Sequence, residues 1–207
     1  MKTNVYVDGL NLYYGCLKGT RYKWLDLACL CRYLLPGDDI QRIKYFTAIV
    51  RAFPHDPGAP TRQETYLRAL ATIPNLTIHY GHFLSSRCTM ALASSKSNPP
   101  EKVEVIKTEE KGSDVNLATH LLLDGFRRDY DCAVVVSNDS DLLEPIRVVR
   151  CELGLPVGLI NPHRHPSAAL VPQATFIKQI RPGLLAKCQF PDTLRDANGI
   201  FHKPLVW

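Results

Sequence analysis

Asp131-Cys132-Ala133-Val134-Val135-Val136-Ser137-Asn138-Asp139-Ser140-Asp141 decides the fold. The apolar run from Cys132 to Val136 has no polar alternation, so it reads as a strand buried on both faces, the pattern of a parallel sheet covered by helices. Apolar residues at helical spacing flank it on both sides, at 113–128 and 139–152. A strand between two helices argues for right-handed crossovers that lay successive strands in one layer.

Working outward, residues 4–7, 41–50, 76–84, 156–160 and 176–180 read as further strands, and 11–17, 24–35 and 61–73 as helices. Loops are expected at 54–60 and 161–167, with a helical turn near Leu170. Residues 85–100 are rich in Ser, Asn and Pro, and the alternation Val103, Val105 leads towards Glu109, so an inserted flap is expected near 85–108. The expected fold class is α/β, a central mainly parallel sheet with helices on both faces plus that flap. One domain is expected over 1–188. The tail 189–207 is polar and loop-like but ends in Ile200-Phe201, Pro204 and Leu205-Val206-Trp207, so it is expected to pack on the domain or on a second subunit, the basis for expecting a homodimer.

At 207 residues and 45% hydrophobic composition, the chain can bury one sizeable core. No apolar stretch approaches a membrane span and the amino terminus lacks a signal-peptide pattern, so no membrane partner is expected. Seven cysteines without a CxxC pair fit reduced thiols and a cytoplasmic location, and speak against structural zinc. The net charge of +5 is compatible with a polyanionic partner without identifying one.

In open α/β sheets, ligands sit at the carboxyl ends of the strands. Asp8 ends the first strand, and Asp139 and Asp141 follow the strand 132–137, so these three acids are expected on one edge. Asp114 lies in the first turn of the preceding helix and joins them only if residues 103–109 run parallel or the flap returns the chain to that edge. Singly, each acid has an ordinary explanation as an Asx-turn, a cap or a helix-dipole partner. Converging carboxylates instead raise one another's pKa unless a cation neutralises them. Hard oxygen ligands without Cys or His suit Mg²⁺ or Mn²⁺ and a phosphate-ester substrate.

Three blocks carry a family resemblance: Tyr6-Val7-Asp8-Gly9-Leu10-Asn11-Leu12-Tyr13, Lys111-Gly112-Ser113-Asp114-Val115-Asn116-Leu117-Ala118 and Val136-Ser137-Asn138-Asp139-Ser140-Asp141-Leu142. Their order and span resemble the NYN family. The resemblance implies a PIN-like three-layer fold and a metal-dependent ribonuclease acting on RNA. It implies Asp8, Asp114, Asp139 and Asp141 as the catalytic and metal-binding cluster, supported by Asn11, Ser137 and Asn138. Such a cluster would bind one or two Mg²⁺ or Mn²⁺ ions, which lower the pKa of a water and polarise the scissile phosphate, giving products with 5′ phosphate.

One departure is His120, where the family often has a further acid six residues after the position of Asp114. Asp124 is ten residues from Asp114, roughly 280° around an ideal helix, and reads as a solvated or capping acid. Lys111 is either a phosphate contact or a surface lysine beside Glu109 and Glu110. Tyr13, Arg21 and Lys23 lie in an aromatic and basic segment suited to unpaired bases, and His163 and Arg164 in a loop able to meet RNA.

Other readings stay open. The fold could serve as a catalytically silent RNA-binding module. Some sequences of this type are labelled hydroxylases of the 6-hydroxy-3-succinoylpyridine type, from nicotine degradation, although no GxGxxG fingerprint is present here.

Overall fold

The computed structural model describes residues 1–52, 54 and 56–206. Its centre is a six-stranded sheet in which every neighbouring pair is parallel, in the order β3-β2-β1-β6-β7-β8. The strands are β1 (Lys2–Asp8), β2 (Asp39–Thr47), β3 (Leu76–Tyr80), β6 (Cys132–Val136), β7 (Val157–Asn161) and β8 (Phe176–Gln179).

The central strands are buried on both faces, with successive residues facing opposite cores, as the two-sided pattern requires. Val5, Val7, Cys132, Val134 and Val136 face one core, which is covered by α2 (Leu27–Leu34), α3 (Ala59–Leu70) and α6 (Pro182–Lys187). Tyr6, Phe46, Ala133, Val135, Val157 and Leu159 face the other, beneath α4 (Ser113–Phe126) and α5 (Leu143–Arg147). The sheet is therefore the middle of three layers.

Several expected boundaries move. The first helix is α1 (Gly9–Leu12), continued as one π-helical turn over Tyr13–Leu17. The helix expected over 24–35 begins only at Leu27, because the chain bends at Trp24 and Leu25 forms an antiparallel bridge with Gln189. Asp26 caps it by accepting the amide hydrogen of Cys29 at 2.9 Å. The helix expected over 139–152 is a 3-10 turn (Ser140–Leu142), then α5, then a π turn (Val148–Glu152). The loop expected at 54–60 includes position 55, and the apolar end expected to pack includes position 207, both outside the described residues.

The strand expected over 76–84 divides at Gly81. β3 stays in the sheet, whereas β4 (His82–Ala91) leaves it and pairs antiparallel with β5 (Lys102–Lys111) over ten residue pairs from His82↔Lys111 to Ala91↔Lys102. The flap is thus a two-stranded ribbon over 82–111, and it delivers the chain back to the point where it left. Gly81 makes the crossing possible, since a Cβ there would lie 2.6 Å from the carbonyl oxygen of Lys111 and 2.9 Å from the nitrogen of Ser113. Gly112, at φ 96°, supplies the left-handed turn from β5 into α4. Consequently α4 starts at the carboxyl edge of the sheet.

The tail is more ordered than its composition suggests. β9 (Thr193–Asp196) and β10 (Gly199–His202) form a hairpin. Phe190 and Phe201 pack on the buried Trp24 ring, with centroid separations of 5.8 and 6.5 Å. Arg68 binds both carboxylate oxygens of Asp196, at 2.6 and 2.7 Å. Leu205 and Val206 remain exposed. Among the described residues, no helix is long and apolar enough to cross a membrane.

Asp124 requires a correction. It is 2% exposed rather than solvated, and it accepts from both Lys44 Nζ and Tyr6 Oη at 2.6 Å. Angular distance from Asp114 was the wrong measure, because Asp114 sits at the end of the helix. Leu117 and Leu121 define the face of α4 that meets the sheet, and Asp124 lies about 20° from Leu117 on that face.

Candidate functional site

Three acids meet where β1, β6 and α4 end or begin. Asp8, at the last position of β1, is 4% exposed and caps α1 by accepting the Asn11 amide hydrogen at 2.9 Å. Its other oxygen accepts from Ser137 Oγ at 2.9 Å. That hydroxyl also accepts the amide hydrogen of Asp139 at 3.1 Å, so Ser137 ties the end of β6 to the end of β1. Asp114 arrives from the first turn of α4, through the return path of the ribbon.

One carboxylate oxygen from each of Asp8, Asp114 and Asp139 lies within 4.8 Å of the others. Asp141 is outside this group and exposed. Its amide donates to Asp139 Oδ1 at 3.0 Å, and its charge still raises the pKa of Asp114.

Burial, with the charges of Asp114 and Asp139, pushes the Asp8 carboxyl up to about 7 against the lowering effect of its hydrogen bonds. Asp114 is raised to about 6 by burial and by the charges of Asp139, Glu110 and Asp141. The surrounding cavity of about 250 Å³ is lined by Leu10, Asn11, Tyr14, Glu110 and His163 as well as the three acids. Among the described residues no Lys or Arg lines it. A cluster of oxygen donors that depress one another's ionisation, with no protein cation to offset them, fits a hard divalent cation.

Asn11 organises the rim. Its Oδ1 accepts the amide hydrogen of Asn138 at 2.9 Å and lies 3.1 Å from His163 Nε2. Asn138 in turn donates to the carbonyl of His165 and accepts from the amide of Ser167, which holds the loop after β7.

Of the proposed substrate contacts, Tyr13 and Lys23 line a larger cavity beside the acids. Arg21 and Arg164 are exposed, and Arg21 lies over the Tyr22 ring. Lys111 pairs with Glu109 at 3.4 Å and does not line the acidic cavity. His120 is turned to the core beneath α4, with Nδ1 3.3 Å from Lys44 Nζ, and takes no part in the acidic group.

Two contributors escaped the sequence reading. Glu110 faces the cavity and accepts the Ser113 amide hydrogen at 3.0 Å, a role set by the register of the ribbon. Asn161, 2% exposed at the end of β7, fixes His163 by accepting its amide and donating to its carbonyl. Its position immediately after an apolar strand was the available signal.

An all-parallel sheet with acids gathered at its carboxyl edge defines the class. The NYN domain model matches residues 2–181, and the chain belongs to the NYN domain family. It is 30% identical over 221 residues to the 6-hydroxy-3-succinoylpyridine 3-monooxygenase HspA of Pseudomonas putida, covering 92% of this chain and 70% of that one. It is also similar to the crystal structure of a Vibrio parahaemolyticus protein of unknown function, with a TM-score of 0.60 and 18% identity over 87% of this chain and 93% of that chain. That likeness concerns the fold.

Proposed function

We propose that the protein is a metal-dependent ribonuclease that hydrolyses phosphodiester bonds of RNA in the cytoplasm, using Mg²⁺ or Mn²⁺. The observation that carries the reading is the convergence of Asp8, Asp114 and Asp139 within 4.8 Å at the carboxyl edge of a NYN domain.

Asp8, Asp114 and Asp139 would hold the cation, with Asp141 adding negative charge from outside. When bound, a divalent ion lowers the pKa of a water and neutralises charge on a phosphate. Ser137 fixes the orientation of Asp8 through its 2.9 Å hydrogen bond. The contacts of Asn11 with Asn138 and His163 tie the loops after β6 and β7 to α1 and so fix the rim of the acidic cavity. Attack by water in this arrangement would leave a 5′ phosphate on the product.

The test is incubation of an end-labelled unpaired RNA with the protein in Mn²⁺, in Mg²⁺ and in EDTA. Products that appear only with metal and carry 5′ phosphate support the reading. Binding without cleavage in any metal would favour a silent RNA-binding module.

Metal affinity should depend on pH. Both raised carboxyls must lose their protons to become ligands, so affinity rises as pH passes through about 6 and about 7. Calorimetric Mn²⁺ titrations at pH 5.5 and 7.5 should differ by roughly ten-fold or more in affinity, with protons released on binding. Equal affinities would place the metal elsewhere.

A second reading follows from the relative named as a monooxygenase, together with the aromatic cavity beside the acids. In that reading the chain hydroxylates a substituted pyridine. A flavin spectrum in the purified protein, or turnover of 6-hydroxy-3-succinoylpyridine, would favour it over RNA cleavage.

A further inference from the structure

Beside the acidic cavity lies a larger one of about 560 Å³, between α1 with its π turn, the end of β2 and the start of α3. Leu10, Tyr14 and Glu110 line both, so the two spaces adjoin. The larger one is aromatic and deep. Tyr45 and Tyr66 are 6% and 7% exposed and pack edge-to-face at 6.5 Å, while Tyr13 stands at its wall.

Its polar groups are mostly spent on the protein itself. Arg62 is paired with Asp56, and Gln63 donates to the carbonyl of Ala48 and accepts from the amide of Val50. Lys23 is different. Half-buried at the same cavity, it has no hydrogen bond or ion pair among the described residues, and its pKa is lowered by burial and by Arg62.

An aromatic cavity that adjoins the edge proposed to hold a phosphate, with an uncommitted ammonium beside it, has the layout of a nucleotide. The volume falls in the range of roughly 300–1,000 Å³ usual for small-molecule sites, ample for one base. A paired base could not enter, whereas an unpaired one can leave its strand and lie against tyrosine rings. We propose that this cavity receives the unpaired nucleobase adjacent to the phosphate held at Asp8, Asp114 and Asp139, with Lys23 contacting the backbone of that nucleotide. The proposal rests on the phosphodiester reading above. Because the side-chain amide of Gln63 is already engaged, selection is by ring stacking and pairing state rather than by base identity.

The test uses fluorescence anisotropy of a labelled ten-nucleotide unpaired RNA in Ca²⁺, with one abasic residue moved along the strand. Removal of one particular base should weaken binding roughly ten-fold, with smaller effects elsewhere. Tyr13→Ala should lose a similar factor on the intact strand and become insensitive to the abasic residue, while Tyr13→Phe keeps the wild-type pattern. If Tyr13→Ala fails to fold, 5-iodouridine at the sensitive position of the strand, photocrosslinked to the unaltered protein, should mark Tyr13, Tyr14 or Tyr66. Uniform abasic sensitivity with crosslinks elsewhere would overturn the pocket assignment. Metal-dependent cleavage, measured separately, would then still support the nuclease reading. Saturable binding of a free substituted pyridine without any RNA binding would overturn both.

Discussion

Asp139→Asn is expected to reduce Mn²⁺-dependent RNA cleavage by on the order of a thousand-fold while the melting temperature of the metal-free protein stays within a few degrees of the original. A bound cation contributes several kcal/mol of charge stabilisation to a phosphoryl transition state, and each ~1.4 kcal/mol is a factor of ten in rate. Asp139 supplies one of three converging oxygens, so losing its charge weakens the site at its centre. Its structural duties are lighter. Oδ1 accepts the amide of Asp141, and an Asn oxygen can do the same.

Asp8→Asn should match that loss of activity with an opposite side effect. The Asp8 carboxyl is raised in the folded protein to about 7 from an ordinary value of 3.8. The folded state therefore holds this proton more tightly than the unfolded chain. Stability from that preference is complete below about pH 3.8 and disappears as pH rises through about 7. At pH 8 the neutral Asn avoids the cost of a buried charge, so the metal-free variant should melt higher than the unaltered protein. Calorimetry with and without Mn²⁺ reads both effects, and metal should stabilise only the parent strongly. Unchanged cleavage by either variant would remove the acidic cluster from the reaction.

The parts of this architecture that follow from local pattern were legible in the chain. The run Cys132 to Val136 is buried throughout, as an unbroken apolar stretch requires. Asp8 and Asp139 reach one edge because each follows a parallel strand that ends there. Asp114 was different, since its place depends on the register of a ribbon whose strands begin with His82 and end with Lys111. Register over such a distance is set by pairing, with little trace in composition. For the same reason the sequence showed a flap but not that Glu110 faces the acids while Lys111 pairs with Glu109 outside. The tail was expected to dock, but its hairpin was not legible, because it is short and polar and is held through Asp196 by Arg68 and through Phe201 by the Trp24 ring, partners more than a hundred residues away. Asp124 was misjudged because helical angle was measured from a residue at the helix end rather than from the buried Leu117 and Leu121.

Asp124 also carries the largest stability effect to be expected. It sits under α4 with Tyr6 Oη and Lys44 Nζ both 2.6 Å from one oxygen, and Lys44 is itself only 7% exposed. Asp124→Leu would leave the Lys44 ammonium buried beside His120 without a counter-charge. Breaking a buried pair from one side costs about 3–5 kcal/mol. For a domain of this size about 1 kcal/mol moves the melting temperature by roughly 2–4 °C, so a fall of roughly 10 °C is expected. Lys44→Met should be nearly as damaging, since it strands the carboxylate with Tyr6 alone. The combined variant Lys44→Met, Asp124→Leu should recover most of the loss, because two apolar side chains of similar bulk need no desolvated charges. The neighbouring His79 gives the same cluster a pH dependence. Burial, with His120 and Lys44 nearby, lowers its pKa to about 4 from 6.5. Stability linked to it is complete above about pH 6.5 and is lost as pH falls through about 4, the direction opposite to that of Asp8. Thermal melts of the single and double variants at pH 7.5 and 5 separate the two effects. If the double variant melts no higher than the singles, the polar cluster is needed for packing rather than for charge balance, and the pairing argument falls.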